Sequence, residues 1–581
     1  MEITLKYERD YKLTPTQQVF VDRGIPLEEI EHYLNTTDDD INSWKDLKNM
    51  QLAVETYLKH IDKKSKILIQ VDSDVDGFTS AALLYNFTKE NFPGADLSYQ
   101  VHENKAHGLE VTDDILQNKY DLVIVPDAGS NEYEIHAELK ELNIDCIVLD
   151  HHDCDKESED AIIVNNQLSP DYENKALSGV GVVWQFCLAI GDLAADPIVV
   201  HADNYLDLVS LGLVADMMDL RSFETRRLID KGLEIMNDGN KPFQNTFLAE
   251  FVIKQSYSLG SSVTPIGISF YIAPFINSTV RVGTLEERIG LFEAMLEEKA
   301  NEMVPSTKRG AKGEMEKFSI EAARIATNVK NRQKREEDKG AIAFAEHVNE
   351  EYLNKNSIIV LDTGGTVVKD LNGLIANQMQ SKFQRPALVI SRKDGFVSGS
   401  GRGYESNVMT DFRQFINESG LAEYAEGHAQ AFGVKFTEEN FQQFIEYANA
   451  NLDYAGAFKE YEADFIMEGP EIDSELVLEL AKLKNFWGKG MEEPLIAFRN
   501  VPISTSDKFA MANNALKLLA KDVPCIKFRA GEGAFEELAP NEYTISLVDI
   551  VGKTNLNEFN GRTSGQIFIT EYEIVDTKIN F

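Results

Sequence analysis

The amino-acid sequence predicts an α/β protein with a parallel-sheet domain, a second and smaller α/β domain, and a C-terminal β-barrel. Three patterns carry this prediction. Short apolar strands alternate with helical segments in the first third of the chain, a second alternation begins near residue 357, and closely spaced short strands follow from about residue 464. Strand–helix alternation is typical of parallel sheets covered by helices, and closely spaced strands are typical of small barrels.

Length and composition set the broad class. The chain has 581 residues, too many for one core, and its net charge is −39. This acidity opposes non-specific attraction to nucleic acid, whose phosphates are neutralised by Lys and Arg. Four cysteines without a CxxC pair argue against a disulfide scaffold or a thiolate zinc site. Without a signal peptide or a membrane-length apolar run, we expect a cytoplasmic protein that does not contact membranes.

The first α/β region supplies four predicted buried strands. They are Lys66–Val71, Asp121–Pro126, Cys146–Asp150 and Ala161–Asn165. Helical patterns separate the first three strands, which favours a parallel sheet with helices on both faces. A long helical region is expected to follow, from about Ser178 to Ala300.

A basic segment interrupts the acidic chain. Nine basic and three acidic residues lie between Lys308 and Arg335, and the pattern from Thr307 to Arg335 predicts one long helix. The segment is either a solvated linker helix or the positive wall of a polyanion channel.

The second α/β region begins at the strand "SIIVLD" and continues through the helix "LNGLIANQMQSKF" and the strand "PALVIS", ending near Ala450. The β-rich part beyond it contains "PLIAFRNVPIS", "CIKFRA", "EYTISLVDIV" and "GQIFITEYEIV", which predict the strands of the barrel.

Acidic side chains and histidines follow three of the predicted strands. They are Asp72, Asp74 and Asp76 in "VDSDVDG", Asp127 in "VPDAGS", and Asp150, His151, His152 and Asp153 in "LDHHD". Each group alone is commonly a helix cap or a polar turn. The carboxyl ends of parallel strands share one edge, so the three groups should meet there and repel unless divalent cations compensate them. Carboxylates plus imidazole, without thiolate, suit Mn²⁺ or Mg²⁺, and imidazole favours Mn²⁺.

Taken in order, these motifs resemble the DHH phosphoesterase family, and within it the RecJ exonucleases. "DSDVDG", "DAG" and "DHH" match the first three family motifs, and "LDLVSLGLVADMMDL" matches the fourth and supplies Asp216. "SGSGRG" and "EGHAQAFG" resemble the DHH-associated domain, whereas "FWGKGMEEP" and "FNGRTSGQIFI" resemble the RecJ OB-fold. The resemblance runs from about Tyr33 to the C-terminus.

The resemblance implies roles for individual residues. Asp74 and Asp76 would each bind one of two metal ions, Asp127 would bridge them, and His151 and Asp216 would complete the second site, with Asp72 close enough to help. His152 would stand beside the scissile phosphate, oriented by Asp150, so the catalytic set would be His152, Asp127 and Asp150. Arg281 would bind substrate phosphate, and Ser400, Arg402, Gly427 and His428 would form a pocket for a 5′ phosphate.

The implied function is a metal-dependent 5′→3′ exonuclease that degrades single-stranded DNA to 5′ mononucleotides in recombination and repair. The implied domains are a DHH catalytic domain at 1–305, a basic connecting helix at 306–345, a DHH-associated domain at 346–460 and an OB-fold at 461–581. We expect a monomer that binds single-stranded DNA, delivered by a single-strand-binding protein or a helicase because the chain is so acidic.

Two departures from the family pattern concern the 5′-phosphate pocket. Glu426 stands where the family commonly has Gly, and His102 is nearest to the position of a family Arg.

Two alternative functions remain: a DHH phosphodiesterase of short oligonucleotides or cyclic dinucleotides, and a non-catalytic replication scaffold of the same fold. The OB-fold opposes the first, and the presence of every metal-site residue opposes the second.

Overall fold

The computed structural model describes residues 1–103, 106–110, 113–154, 156–238, 245–345, 348–364, 371–454, 459–507, 515–531, 533–559 and 561–579. The strands, in chain order, are β1 (Glu2–Leu5), β2 (Lys66–Val71), β3 (Asp96–Val101), β4 (Leu122–Pro126), β5 (Asp145–Asp150), β6 (Ile162–Asn165), β7 (Met303–Pro305), β8 (Met315–Lys317), β9 (Ile359–Asp362), β10 (Ala387–Lys393), β11 (Phe396–Arg402), β12 (Tyr424–His428), β13 (Ala431–Thr437), β14 (Glu460–Ala463), β15 (Phe465–Glu468), β16 (Leu495–Ile503), β17 (Leu516–Ala520), β18 (Val523–Lys527), β19 (Thr544–Phe559) and β20 (Arg562–Ile579).

The α-helices, in chain order, are α1 (Pro15–Asp22), α2 (Ile30–Leu34), α3 (Met50–Lys63), α4 (Val75–Asn91), α5 (Asp113–Asn118), α6 (Tyr133–Glu141), α7 (Gly179–Leu193), α8 (Leu206–Ala215), α9 (Phe223–Asn237), α10 (Thr246–Leu259), α11 (Pro265–Tyr271), α12 (Ala273–Val282), α13 (Leu285–Ala294), α14 (Glu297–Ala300), α15 (Phe318–Ala345), α16 (Glu350–Lys355), α17 (Asn372–Phe383), α18 (Phe412–Glu418), α19 (Glu438–Asn451), α20 (Ser474–Ala481) and α21 (Ala534–Leu538). No helix in the described ranges combines the length and apolar character that a membrane crossing requires.

The chain forms two compact units. The N-terminal unit comprises Asp10–Lys330 and Leu478–Glu493, and the C-terminal unit comprises Met1–Arg9, Asn331–Val477 and Pro494–Phe581. Each compact unit can contain more than one domain, so the two units do not test the four-domain division expected from the sequence, which stays a prediction.

A five-stranded parallel sheet forms the centre of the N-terminal unit, in the order β3-β2-β4-β5-β6. The predicted strands β2, β4, β5 and β6 are confirmed, and the edge strand β3 was not predicted. Every residue of β4 is buried, and α4 is buried from Val75 to Thr88, because helices cover the sheet. The helical region expected from Ser178 to Ala300 is confirmed as α7 to α14.

The segment 478–493 completes the core of the N-terminal unit. Phe486 and Trp487 pack against Phe20, with ring centroids 5.7 and 5.9 Å apart. The buried guanidinium of Arg226 lies 4.1 Å from the centroid of Phe486 and donates to the carbonyl of Asn485 over 2.8 Å. Sixteen residues that are distant in sequence therefore belong to this unit.

The basic segment is not one helix. Residues 303–317 form the hairpin of β7 and β8, and α15 begins only at Phe318. Gly310 and Gly313 in the turn have φ values of +90° and +87°, a backbone conformation that helices do not contain. The prediction of one helix from Thr307 was therefore wrong for its first third.

Two larger sheets form the C-terminal unit. The first has the order β12-β13-β11-β10-β9, with β9 and β10 parallel and the other pairs antiparallel. The second has the order β15-β16-β19-β20-β18-β17 and contains the long antiparallel pair of β19 and β20, whose register shifts twice. The four predicted barrel strands are confirmed as β16, β18, β19 and β20.

Candidate metal centre

The three predicted acidic groups lie together because β2, β4 and β5 are neighbours in the parallel sheet. Asp72, Asp127 and Asp150 stand at the carboxyl ends of these strands and are each at most 2% exposed. Burial of this many carboxylates is costly unless they are hydrogen-bonded or neutralised.

The first loop uses its carboxylates in different ways. Asp74 caps α4, since its side chain accepts a hydrogen bond from Gly77 N over 2.9 Å. Asp76 accepts from Ser178 Oγ, Gly179 N and Val180 N, and therefore lies at the N-terminus of α7, where a negative charge is favourable. The capping role weighed for this loop is thus present alongside the metal-site geometry.

Asp127 stands out because its carboxylate lacks compensation. Its backbone has φ of +68°, a strained conformation for a non-glycine residue, and neither side-chain oxygen accepts a hydrogen bond from the described residues. Gly179 leaves the space that this side chain occupies, because a Cβ there would lie 2.3 Å from Asp127 Oδ1.

His151 is surrounded by carboxylates. Its Nε2 atom lies 3.2 Å from Asp127 Oδ1, 3.3 Å from Asp216 Oδ2 and 3.9 Å from Asp76 Oδ2. The same nitrogen is buried and makes no hydrogen bond within the described residues. Separations of about 3 Å without hydrogen-bond geometry are those of ligand atoms around one cation, with bonds of about 2.1 Å at right angles.

The electrostatics of the cluster indicate a missing positive charge. Burial, and then Asp76 and Asp74, raise the pKa of Asp127 well above its usual range. Burial, with Asp76 and Asp74, also raises the pKa of Asp216 to about 8, whereas burial lowers the pKa of His151. Neutral imidazole beside repelling carboxylates is the donor set that binds a divalent ion, so these residues fit Mn²⁺ or Mg²⁺.

Asp150 and His152 form a separate pair beside this centre. Asp150 Oδ1 accepts from the backbone N of His151 and of His152, and lies 2.8 Å from His152 Nδ1. Burial is the largest single effect and opposes the Asp150 charge, but the hydrogen bonds from His152 and Ser130, together with the charge of His152, outweigh it and lower the pKa of Asp150 to about 2. The hydrogen bond with Asp150 raises the pKa of His152 to about 9, so in the metal-free protein this half-exposed imidazole is cationic at neutral pH.

One residue of the cluster was not predicted. His107 Nδ1 lies 2.7 Å from Asp72 Oδ2, and ligand atoms of Asp72, Asp74 and His107 lie within 4.8 Å of one another. This residue is the histidine of "KAHGLE", which lies in the same loop as His102, the histidine nearest to the position of a family Arg. His102 is fully buried and bonded to the carbonyl of Gly108, so it is not placed to contact a phosphate.

The residues predicted to bind phosphate lie in both units. Arg281 is in the last turn of α12 in the N-terminal unit, half-buried, and makes no hydrogen bond or ion pair within the described residues. The other predicted residues, Ser400, Arg402, Gly427 and His428, lie on β11 and β12 of the C-terminal unit.

The strand register of β11, β13 and β12 brings several residues of the predicted phosphate pocket to the same level of the sheet. Arg402 and His428 both pair with Ala431 of β13, and Ser400 pairs with Gly433, which also pairs with Glu426. Paired residues project to the same face of a sheet, so Ser400, Arg402, Glu426 and His428 share one face. Gly373 at the start of α17 admits the Arg402 guanidinium, since a Cβ there would lie 2.6 Å from Arg402 Nη2.

Comparison with known proteins follows the same division of the chain. The family model of the DHH family, N-terminal domain, matches residues 66–213, which contain every strand of the parallel sheet. The model of the RecJ OB domain matches residues 463–571, which contain the second sheet of the C-terminal unit up to β20.

The chain is 34% identical to the SPbeta prophage-derived single-strand DNA-specific exonuclease YorK of Bacillus subtilis, over 100% of this chain and 99% of the relative. It is 24% identical to the single-stranded-DNA-specific exonuclease RecJ of the same organism, over 98% of this chain and 69% of the relative. The chain belongs to the DHH family, in the RecJ group. Its fold is that of RecJ from Thermus thermophilus, crystallised with Mn²⁺: the TM-score is 0.66 at 17% identity, over 99% of this chain and 80% of that one.

Proposed function

We propose that the chain is a metal-dependent exonuclease that degrades single-stranded DNA from its 5′ end to 5′ mononucleotides. The observation that carries this proposal is the position of His151 Nε2 among the carboxylates of Asp76, Asp127 and Asp216 without a hydrogen bond from the described residues. The names of YorK and RecJ, single-strand DNA-specific exonucleases, support the substrate class.

Two divalent cations would occupy the centre. Asp76, His151 and Asp216 would hold one, Asp74 would hold the other with help from Asp72, and Asp127 would bridge them. When bound, such ions lower the pKa of a water molecule and stabilise the charge on the oxygens of the phosphate that is cut.

Asp150 and His152 would act on the phosphate. Asp150 fixes the His152 ring through Nδ1, so Nε2 and its proton point away from Asp150. The cationic ring is half-exposed and can therefore donate to a phosphate oxygen and offset its developing charge. Arg281 would add a contact to the substrate backbone.

The 5′ polarity would come from a pocket for the terminal phosphate, built by Ser400, Arg402, Gly427 and His428. Glu426 lies on the same face as three of these residues and would weaken the attraction of a dianionic phosphate. The OB domain would capture the strand by stacking and backbone contacts.

The cellular setting is part of the proposal. We propose a monomeric cytoplasmic enzyme of recombination and repair, divided as 1–305, 306–345, 346–460 and 461–581. Because a net charge of −39 opposes DNA binding, a single-strand-binding protein or a helicase would deliver the strand, and binding without it would weaken steeply as salt rises.

End-labelled oligonucleotides test the activity. With Mn²⁺, single-stranded DNA should lose a 5′ label as mononucleotide before the 3′ label changes, and duplex DNA and RNA run in parallel define the substrate. Early loss of the 3′ label would refute the polarity. No release of mononucleotide from any strand would refute the exonuclease and favour the non-catalytic scaffold, and hydrolysis confined to dinucleotides would favour the short-substrate phosphodiesterase.

A further inference from the structure

A loop that follows the edge strand β3 reaches the first carboxylate loop. His107 Nδ1 lies 2.7 Å from Asp72 Oδ2, and Gly108 N donates to Asp72 Oδ1 over 2.7 Å. The Asp72 side chain is 3% exposed and that of His107 is 53% exposed. The loop therefore presents an imidazole to the buried acids from the solvent side.

The backbone of this loop is fixed by contacts beyond Asp72. Leu109 N donates to Glu132 Oε2 over 2.6 Å, and the carbonyl of Gly108 lies 3.0 Å from His102 Nε2. Gly108 has φ of +83°, and a Cβ there would lie 1.8 Å from Glu132 Oε1. These contacts hold His107 against the carboxylates.

His107 Nδ1 and Asp72 Oδ2 can lie this close only if a proton or a metal ion stands between their lone pairs. At 2.7 Å a proton on His107 Nδ1 fills this role as a hydrogen bond. A divalent ion can replace that proton, because two ligand atoms of one ion are separated by about 3 Å. Asp74 contributes a third donor atom within 4.8 Å of the other two.

We propose that His107 is a ligand of the first divalent cation, together with Asp74 and Asp72, so that each of the two ions has one imidazole. The inference rests on the two-ion centre of the proposed function and adds a ligand that the family resemblance did not supply. A nitrogen donor at both ions shifts selectivity from Mg²⁺, which prefers oxygen ligands, to Mn²⁺.

Binding of Mn²⁺, followed by electron paramagnetic resonance of the free ion, tests the ligand role without catalysis. Wild-type protein should bind two ions, and His107→Ala should weaken one of them about 10- to 100-fold. The spin-echo modulation from imidazole nitrogen bound to Mn²⁺ should fall by about half in this variant. His32→Ala is the matched control, because His32 Nε2 also lies 2.7 Å from a carboxylate, that of Asp40, on a half-exposed side chain.

His107→Gln separates a ligand from a residue that only holds Asp72. Glutamine keeps a donor for Asp72 but lacks the imidazole, so it should bind Mn²⁺ as weakly as the alanine variant does. Wild-type affinity in either His107 variant would overturn the inference. Wild-type protein that binds two ions but cleaves no DNA would instead refute the proposed function and leave the ligand assignment standing.

Discussion

Replacing Asp127 with asparagine should stabilise the metal-free protein. Both Asp127 oxygens are buried without a hydrogen bond from the described residues, and Asp76 and Asp74 add repulsion. A buried charge of this kind destabilises a fold by about 1–3 kcal/mol, so neutralising it should raise the melting temperature of the N-terminal unit by about 2–8 °C.

Mn²⁺ should reverse the order of the melting temperatures of the wild type and the Asp127→Asn variant. An ion at about 100 times its dissociation constant adds about 2.7 kcal/mol per site to the wild type. The variant lacks the carboxylate that we propose bridges the two ions, so it should gain less than about 1 kcal/mol. The asparagine variant is therefore expected to melt above the wild type in chelator and below it in Mn²⁺.

Tryptophan fluorescence measures this unit alone. The three tryptophans of the chain, Trp44, Trp184 and Trp487, are buried and all belong to the N-terminal unit. Asp171→Asn makes the same charge change at an exposed position of that unit and should melt like the wild type in both conditions. An Asp127→Asn protein that melts below the wild type in chelator, or gains as much from Mn²⁺, would refute the reasoning.

Gly179→Ala should reduce Mn²⁺ affinity and DNA cleavage at least 10-fold in a folded protein, because the new Cβ would lie 2.3 Å from Asp127 Oδ1. A metal titration measures the loss of affinity. Asp150→Asn should move the titration of His152 in metal-free protein from about 9 towards 6.5, as followed by NMR. The pair stabilises the wild-type fold fully between about pH 4 and pH 6.5, and this contribution disappears as pH rises through about 9 or falls through about 2. Phe528→Ala should weaken binding of long single strands by about 1–3 kcal/mol in a fluorescence-anisotropy titration, since this ring is 59% exposed beside the barrel strand β18.

Each of these predictions has a control in the chain. Gly94→Ala should leave metal binding unchanged, because a Cβ there meets nothing within 4 Å, and equal losses in both glycine variants would contradict the Asp127 argument. The buried His136 should titrate identically in the wild type and in Asp150→Asn. If the titration of His152 does not change in this variant, the ion pair between Asp150 and His152 is refuted. Tyr11→Ala, at an 86% exposed ring, should bind DNA like the wild type; equal weakening would mean that Phe528 has no special contact.

The acidic cluster was predictable because parallel strands place their carboxyl ends at one edge, whatever the loops do. Asp72, Asp127 and Asp150 follow apolar runs that are visible in the sequence, and the sheet order brings those runs side by side. His107 was not predictable, because it depends on β3. The sequence "DLSYQV" has one buried position and lies at the sheet edge beside β2, so it lacks the apolar run that marked its neighbours.

The segment 478–493 escaped prediction for a different reason. Its aromatic residues are typical of any core, and nothing local identifies Phe20 or Arg226, both more than about 250 residues earlier, as their partners. The hairpin before α15 was missed because the charge pattern of 307–335 is uniform, whereas Gly310 and Gly313 decide the backbone there.

The return of the chain at Leu478–Glu493 constrains how the protein folds during synthesis. The N-terminal unit lacks Phe486 and Trp487 until the ribosome has also made residues 331–477, most of the C-terminal unit. At about 5–20 residues per second this interval is about 7–30 s. During this interval Phe20 and Arg226 lack the side chains that cover them in the folded protein. We therefore expect the nascent chain to need a chaperone at this stage, and for a longer time when translation is slower.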